Sequence, residues 1–237
     1  CRANGVELYC TGGFGRAEDL SAVDAAARED AVRYAQRVLE ALSRVGATNF
    51  SGINYSAWCD FDHPERKAER TAYAAESLRK VGKMAGDHGI SWNMEVVNRF
   101  ESFMLNTAAE ARALADMVDS AHVNILLDSF HGMIEEDDMA EAIRMAGSRL
   151  GHYHVGSNNR KLPGPGDFLP WREIGAALRD VRYDKCVSLE PLVHAGGTVA
   201  LEGGSVWRPM LPEGLDDNAM DTLLMDALRF IRGVVEG

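Results

Sequence analysis

The sequence predicts an α/β architecture in which a parallel sheet carries its helices on the outside. Three observations lead there. Short apolar runs alternate strictly with helical stretches, in about six units of roughly 25–45 residues each, as parallel strands joined by helical crossovers require. No Gly-x-Gly-x-x-Gly follows a strand and no Walker loop is present, so the doubly wound nucleotide-binding folds lack their signature. The last four strands all end in side chains that bind metals or carry protons.

The elements follow in order. Gly5–Thr11 is strand-like and leads into the loop Gly12-Gly13-Phe14-Gly15. Ser21 and Asp24 are candidate N-caps for a helix over about 25–45, where Val32, Ala35, Val38, Leu39 and Leu42 recur at helical spacing and Gly46 ends the run. Ala47–Ile53 reads as a strand entering the loop Asn54–Trp58. Pro64 opens a helix over about 65–87 that closes at Gly89. Trp92–Glu101 starts as an apolar strand and then delivers Glu95, Asn98, Arg99 and Glu101 within a few residues. Thr107 caps a helix over about 108–119. Val123–Asp128 is a strand, followed by a helix carrying Met139, Ile143 and Met145. Gly151–Val155 is a strand, and the loop after it holds Pro163-Gly164-Pro165-Gly166. Trp171–Leu178 is helical, Cys186–Leu189 a strand and Asp221–Val235 the last amphipathic helix. Gly12-Gly13, Gly196-Gly197 and Gly203-Gly204 read as turns rather than phosphate cradles. With no linker and no composition shift, residues 1–237 read as a single domain.

Bulk composition narrows the function classes. The 237 residues carry a formal net charge of −11, the wrong sign for a nucleic-acid or anionic-membrane surface. Four cysteines without a CxxC pair form neither a zinc knuckle nor a disulfide scaffold, and the reducing cytoplasm is the expected compartment. No apolar run is long enough to span a membrane.

The chemistry sits at the strand ends. Glu95, Asp128, His154 and Glu190 follow one another at intervals of 33, 26 and 36 residues, about one strand–helix unit each. In a parallel α/β barrel such ends converge on one rim, where active sites lie. Three carboxylates and an imidazole on one rim repel unless a cation sits among them. Oxygen ligands with one nitrogen suit Mn²⁺, Mg²⁺ or Co²⁺. His152 and His154 share a face of their strand. His154, nearer the carboxyl end, is the expected ligand, and His152 a hydrogen-bonded core histidine.

These residues also carry a resemblance. Asn93–Glu101 with its Asn98-Arg99-Phe100-Glu101, Leu127–His131, Gly151–His154 leading to Asn159-Arg160, Pro170–Ile174, Leu189-Glu190-Pro191 and Val206-Trp207-Arg208 resemble the ketose 3-epimerases, the D-tagatose/D-psicose 3-epimerase group of the xylose-isomerase-like barrels. The resemblance spans nearly the whole chain. It implies a TIM (β/α)8 barrel, of which the first two strand–helix units are missing, so that the chain starts at about the third strand. It implies Glu95, Asp128, His154 and Glu190 as ligands of one divalent metal, Mn²⁺ first and Co²⁺ or Mg²⁺ as alternatives. It implies Glu95 and Glu190 as the acid/base pair, and Glu101, His131, Arg160 and Trp58 as substrate contacts. The expected substrate is a free ketose, the expected assembly a homodimer or homotetramer. Ser157 departs from the commoner members, which carry glutamate there, and bears on substrate preference.

Rival readings are an aldose–ketose isomerase or inosose dehydratase on the same rim, a metal-dependent phosphodiesterase or repair nuclease, and a non-catalytic sugar-binding barrel. Asn98–Glu101 with His131 favours the epimerase over the first. Seven histidines and the acidic charge disfavour the second. Two opposed glutamates disfavour the third.

Overall fold

Among the described residues six strands form one sheet in the order in which they occur in the chain, and every neighbouring pair is parallel. They are β1 (Tyr9–Thr11), β2 (Asn49–Gly52), β3 (Ser91–Glu95), β4 (Val123–Asp128), β5 (Leu150–Val155) and β6 (Val187–Leu189). The computed structural model describes residues 1–193, 206–208, 210–212 and 214–237. Gly196-Gly197 and Gly203-Gly204 therefore lie outside the described residues.

Among the described residues the α-helices are α1 (Ala25–Val45), α2 (Lys67–His88), α3 (Ala108–Val118), α4 (Ser129–Glu135), α5 (Met139–Ala146), α6 (Trp171–Asp180) and α7 (Asp217–Glu236). Their ends are set by side chains legible in the sequence. Asp24 caps α1 by accepting from the amides of Ala26 and Ala27, and Gly46 closes it at φ 75°, a left-handed conformation that glycine adopts without a Cβ penalty. Thr107 caps α3 through the Glu110 amide.

Beyond shifts of one or two residues at other strand and helix ends, four differences from expectation stand out. β1 begins at Tyr9 rather than Gly5. A 3₁₀ turn over Pro64–Arg66 precedes α2. The region after β4 is two helices, because Asp128 caps α4 directly and Asp138 caps α5. Asp216 caps α7, which starts four residues before the predicted Asp221.

Alternation along each strand divides two environments. Trp92, Met94, Ile125, Leu127, Tyr153 and Val155 face the helices and are buried. The other face is polar and lines the concave side of a curled sheet. There Ser51 Oγ on β2 lies 2.9 Å from His152 Nδ1 on β5. The rings of Tyr9 on β1 and His152 are 5.5 Å apart. Asn93 Nδ2 donates to Ser51 Oγ at 3.0 Å, Ser91 Oγ to Asn93 Oδ1 at 2.8 Å, and Asn124 Nδ2 to Ser91 Oγ at 3.0 Å. His152 Nε2 is 2.7 Å from Ser188 Oγ on β6. This ladder satisfies buried polar groups across five strands, so the concave face is specified by hydrogen bonds as well as by volume. His152 is the hydrogen-bonded core histidine that its position on β5 implied.

The ladder needs room where β4 and β5 slip register between Ile125 and Leu126. A Cβ on Gly151 would collide with Asn93 Oδ1 and come within 2.9 Å of Asn124 Cβ. Gly151→Ala should therefore destabilise the fold by about 1–3 kcal/mol, the usual range for overpacking a filled core. Urea unfolding checks this, and a neutral substitution would show that Asn93 can yield.

Candidate metal and sugar site

Register brings the strand ends together. Asp128 pairs with His154 across β4 and β5, and Glu95 lies opposite Leu126 across β3 and β4. Glu190 follows the last residue of β6, and its amide donates to the Val155 carbonyl at 2.9 Å. One ligand atom from each of Glu95, Asp128, His154 and Glu190 can be chosen so that all four lie within 4.8 Å of one another. His154 Nδ1 is 3.2 Å from Glu190 Oε2 and 3.9 Å from both Glu95 Oε1 and Asp128 Oδ2.

Each carboxylate is held differently. Asp128 Oδ1 accepts from the Phe130 and His131 amides, at 2.6 and 3.0 Å, which leaves Oδ2 facing the quartet. The hydroxyl of fully buried Tyr55 donates to the Glu95 carbonyl at 3.0 Å and fixes the end of β3. Nothing in the sequence marks Tyr55 for that role, because a tyrosine in a loop has many uses.

The charges frustrate one another. Burial pushes Glu95 up to about 8, helped by Glu190 and Asp128 and opposed by His154 and Arg160. Burial also pushes Asp128 up, but the adjacent Arg160 guanidinium, with His154, outweighs it and holds Asp128 well below the usual carboxylate range. Burial opposes a charged His154, yet its hydrogen bond to Glu190 and the three surrounding carboxylates raise it to about 9. A cation is what such a cluster wants. Arg160 supplies one: its Nη1 lies 2.9 Å from both Asp128 Oδ2 and Glu190 Oε2. Three carboxylates and one imidazole, nearly all buried, fit a divalent metal that favours oxygen ligands.

The remaining nominated residues form a continuous wall beside the quartet. Trp58 Nε1 donates to Glu101 Oε2 at 3.1 Å, and Asn98 Nδ2 donates to Glu101 Oε1 at 3.0 Å. The Asn98 backbone N–H donates to His131 Nδ1 at 3.2 Å. Nδ1 is thus an acceptor, and in the neutral ring the proton sits on Nε2. Burial, with Arg160 acting the same way, keeps His131 below its ordinary value and so neutral. His131 Nε2 lies 3.8 Å from Glu95 Oε1 and 3.0 Å from Arg160 Nη2, so the imidazole and the guanidinium stand side by side at the edge of the quartet.

Arg160 adopts φ 62°, unusual for a non-glycine residue. The turn holds it there, since its N–H donates to the Ser157 carbonyl and its own carbonyl accepts from the Leu192 N–H. Ser157 is buried in that turn and bonds Asn158 Oδ1 at 3.1 Å. Arg99 grips Glu135 through Nε and Nη2, both at 2.9 Å, and so pins the loop after β3 to α4 rather than entering the site. All eight residues singled out from the sequence are in one place.

Two outcomes follow for metal loading. Mn²⁺ at a hundred times its Kd should stabilise the protein by about 2.7 kcal/mol, and Asp128→Asn should abolish that gain. Because Glu95 and His154 hold protons at neutral pH, loading releases protons, and apparent affinity should rise from pH 6.5 to pH 8.5. Titration at the two values with electron paramagnetic resonance detection checks this, and a flat profile would contradict the electrostatics described above.

Comparison with known proteins gives the family. A family model described as xylose isomerase-like TIM barrel matches residues 1–210. A D-psicose 3-epimerase of Enterocloster bolteae is 42% identical over 230 residues, covering 96% of this chain and 75% of that protein. One from Agrobacterium fabrum is 40% identical over 235 residues, covering 99% of this chain and 80% of that protein. A crystal structure of D-psicose 3-epimerase with D-tagatose, from Clostridium cellulolyticum H10, superposes with a TM-score of 0.93 at 38% identity and covers 99% of this chain and 80% of that one. With its parallel curled sheet and the match over residues 1–210, the chain belongs to the xylose isomerase-like TIM barrel family.

Proposed function

We propose that this protein is a metal-dependent ketose 3-epimerase that interconverts free ketohexoses at C3, of the D-fructose/D-psicose or D-tagatose/D-sorbose type. The observation that carries it is a pair of carboxylates brought to one quartet by the outer two of four adjacent strands. Glu95 follows from β3 and Glu190 from β6, with β4 and β5 between them, and both approach the same His154 nitrogen. The similarity to enzymes named D-psicose 3-epimerase supports the reaction class, that of a carbohydrate epimerase.

Epimerisation at C3 takes a proton from one face of the carbon and returns one to the other. That proton is acidic because the C2 carbonyl is adjacent. A divalent cation, Mn²⁺ first, held by Glu95, Asp128, His154 and Glu190, would supply Lewis-acid polarisation of that carbonyl. Glu95 and Glu190 divide the proton work: one removes the C3 proton as base, the other donates from the opposite face, and the roles exchange with direction. His131 Nε2–H and the Arg160 guanidinium donate to the oxygen on which negative charge develops. Trp58 packs on the sugar, and Glu101 accepts from its hydroxyls.

Free ketoses offered with Mn²⁺ should yield the C3 epimer and no aldose by chromatography; an aldose product would move the protein to the isomerases on the same rim. Glu190→Gln should lower turnover by roughly 10⁴-fold, since it removes a proton carrier and a ligand together. Near-normal epimerisation by that variant would end the assignment.

A further inference from the structure

Three loops at the carboxyl rim reach one buried guanidinium that belongs to none of them. Arg70, near the start of α2, is 4% exposed. From the loop after β1, Asp19 Oδ2 accepts from its Nη2 at 2.7 Å, and Ser21 Oγ accepts from Nε and Nη2 at 3.2 and 3.0 Å. From the loop after β2, the Asp62 carbonyl accepts from Nη1 at 3.0 Å, and Asp60 Oδ2 lies 3.5 Å from the same nitrogen. From the loop after β3, the Phe103 ring lies beneath the guanidinium, 5.1 Å from its carbon to the ring centroid. Ser21, nominated as a helix cap, serves this network instead, and its hydroxyl donates on to Asp19 Oδ1 at 2.7 Å.

These loops carry the sugar wall. Asp60 follows Trp58 by two residues, and Phe103 follows Glu101 by two. Trp58 and Glu101 are bonded to each other by side chain, and the Cys59 N–H donates to the Glu101 carbonyl at 3.0 Å. The Trp58 N–H donates to the carbonyl of Phe14, in the loop after β1, at 2.8 Å. A buried charge network adds little net stability over an apolar core of equal volume, but it accepts only one geometry. We propose that Arg70 is a positioning residue: its guanidinium locks the three loops in the arrangement that sets Trp58 and Glu101 against the metal quartet. The inference rests on the reading of Trp58 and Glu101 as substrate contacts.

The test compares wild type, Arg70→Met, Arg70→Lys, Asp19→Asn and Trp58→Leu. Steady-state kinetics on the ketose that wild type epimerises fastest are measured beside Mn²⁺ affinity and hydrogen–deuterium exchange of peptides 54–63 and 98–105. Arg70→Met should raise KM about tenfold, the scale expected when a remote change misplaces a binding wall, and leave Mn²⁺ affinity unchanged. Both loop peptides should lose protection while peptide 67–88 keeps it, and Arg70→Lys should recover part of the loss. Combined with Trp58→Leu, Arg70→Met should add nothing further to KM, because both act through one wall. Unchanged KM, an independent additive effect, or intact loop protection would each overturn the proposal. Should Arg70→Met fail to fold, Asp19→Asn carries the same test with smaller shifts in the same direction, and no shift overturns it. Should wild type epimerise no ketose, the proposed function fails, while loop exchange still decides whether Arg70 holds the wall.

Discussion

Three carboxylates and an imidazole are held within a few ångströms of one another, mostly out of water, by strands that cannot move apart without breaking the sheet. Like charges at that range raise one another's proton affinity or require a counter-charge. The protein does both. Glu95 retains a proton, and Arg160 bridges Asp128 and Glu190. Everything around the rim serves this constraint: Asp128 turns one oxygen to helix amides so that the other faces inward, Tyr55 ties down the end of β3, and the strained turn at Ser157–Arg160 aims the guanidinium. A site already arranged around positive charge is prepared for a metal ion.

The concave face below explains how the quartet keeps its geometry. Its interior is a ladder of serines, asparagines and His152 rather than close-packed aliphatics. Each rung has one satisfied arrangement, so the register of β2 to β6 is specified from inside while Trp92, Met94 and Tyr153 fix it from outside. His152 stands edge-on to His154, with ring centroids 4.5 Å apart, so the ladder also sets the face of the metal-site imidazole. Gly151 is the cost of that ladder, a position where no side chain fits.

Much of this was legible in the sequence because it rests on local rules. Asp24, Gly46, Thr107 and Gly89 mark helix ends through bonds made within a few residues. The four strand ends are legible because a parallel sheet turns sequence spacing into spatial adjacency. What stayed hidden depends on contacts remote in the chain. α4 is short, and its cap, Asp128, is also a quartet member, so a single residue carried two signals. The Arg70 network joins residues 49 and 51 positions apart, and nothing local in Asp19, Ser21 or Arg70 announces it. The tautomer of His131 follows from one backbone amide at Asn98, which spacing alone does not reveal.

The central claim is that opposed glutamates exchange the proton at C3 of a free ketose. The most direct measurement is the fate of that proton in D2O. With Mn²⁺ and D-fructose or D-psicose, the account predicts deuterium at C3 of product and, as equilibrium is approached, of recovered sugar, read by proton NMR, with C1 unlabelled. Deuterium at C1, or epimer formed without solvent deuterium at C3, would contradict it.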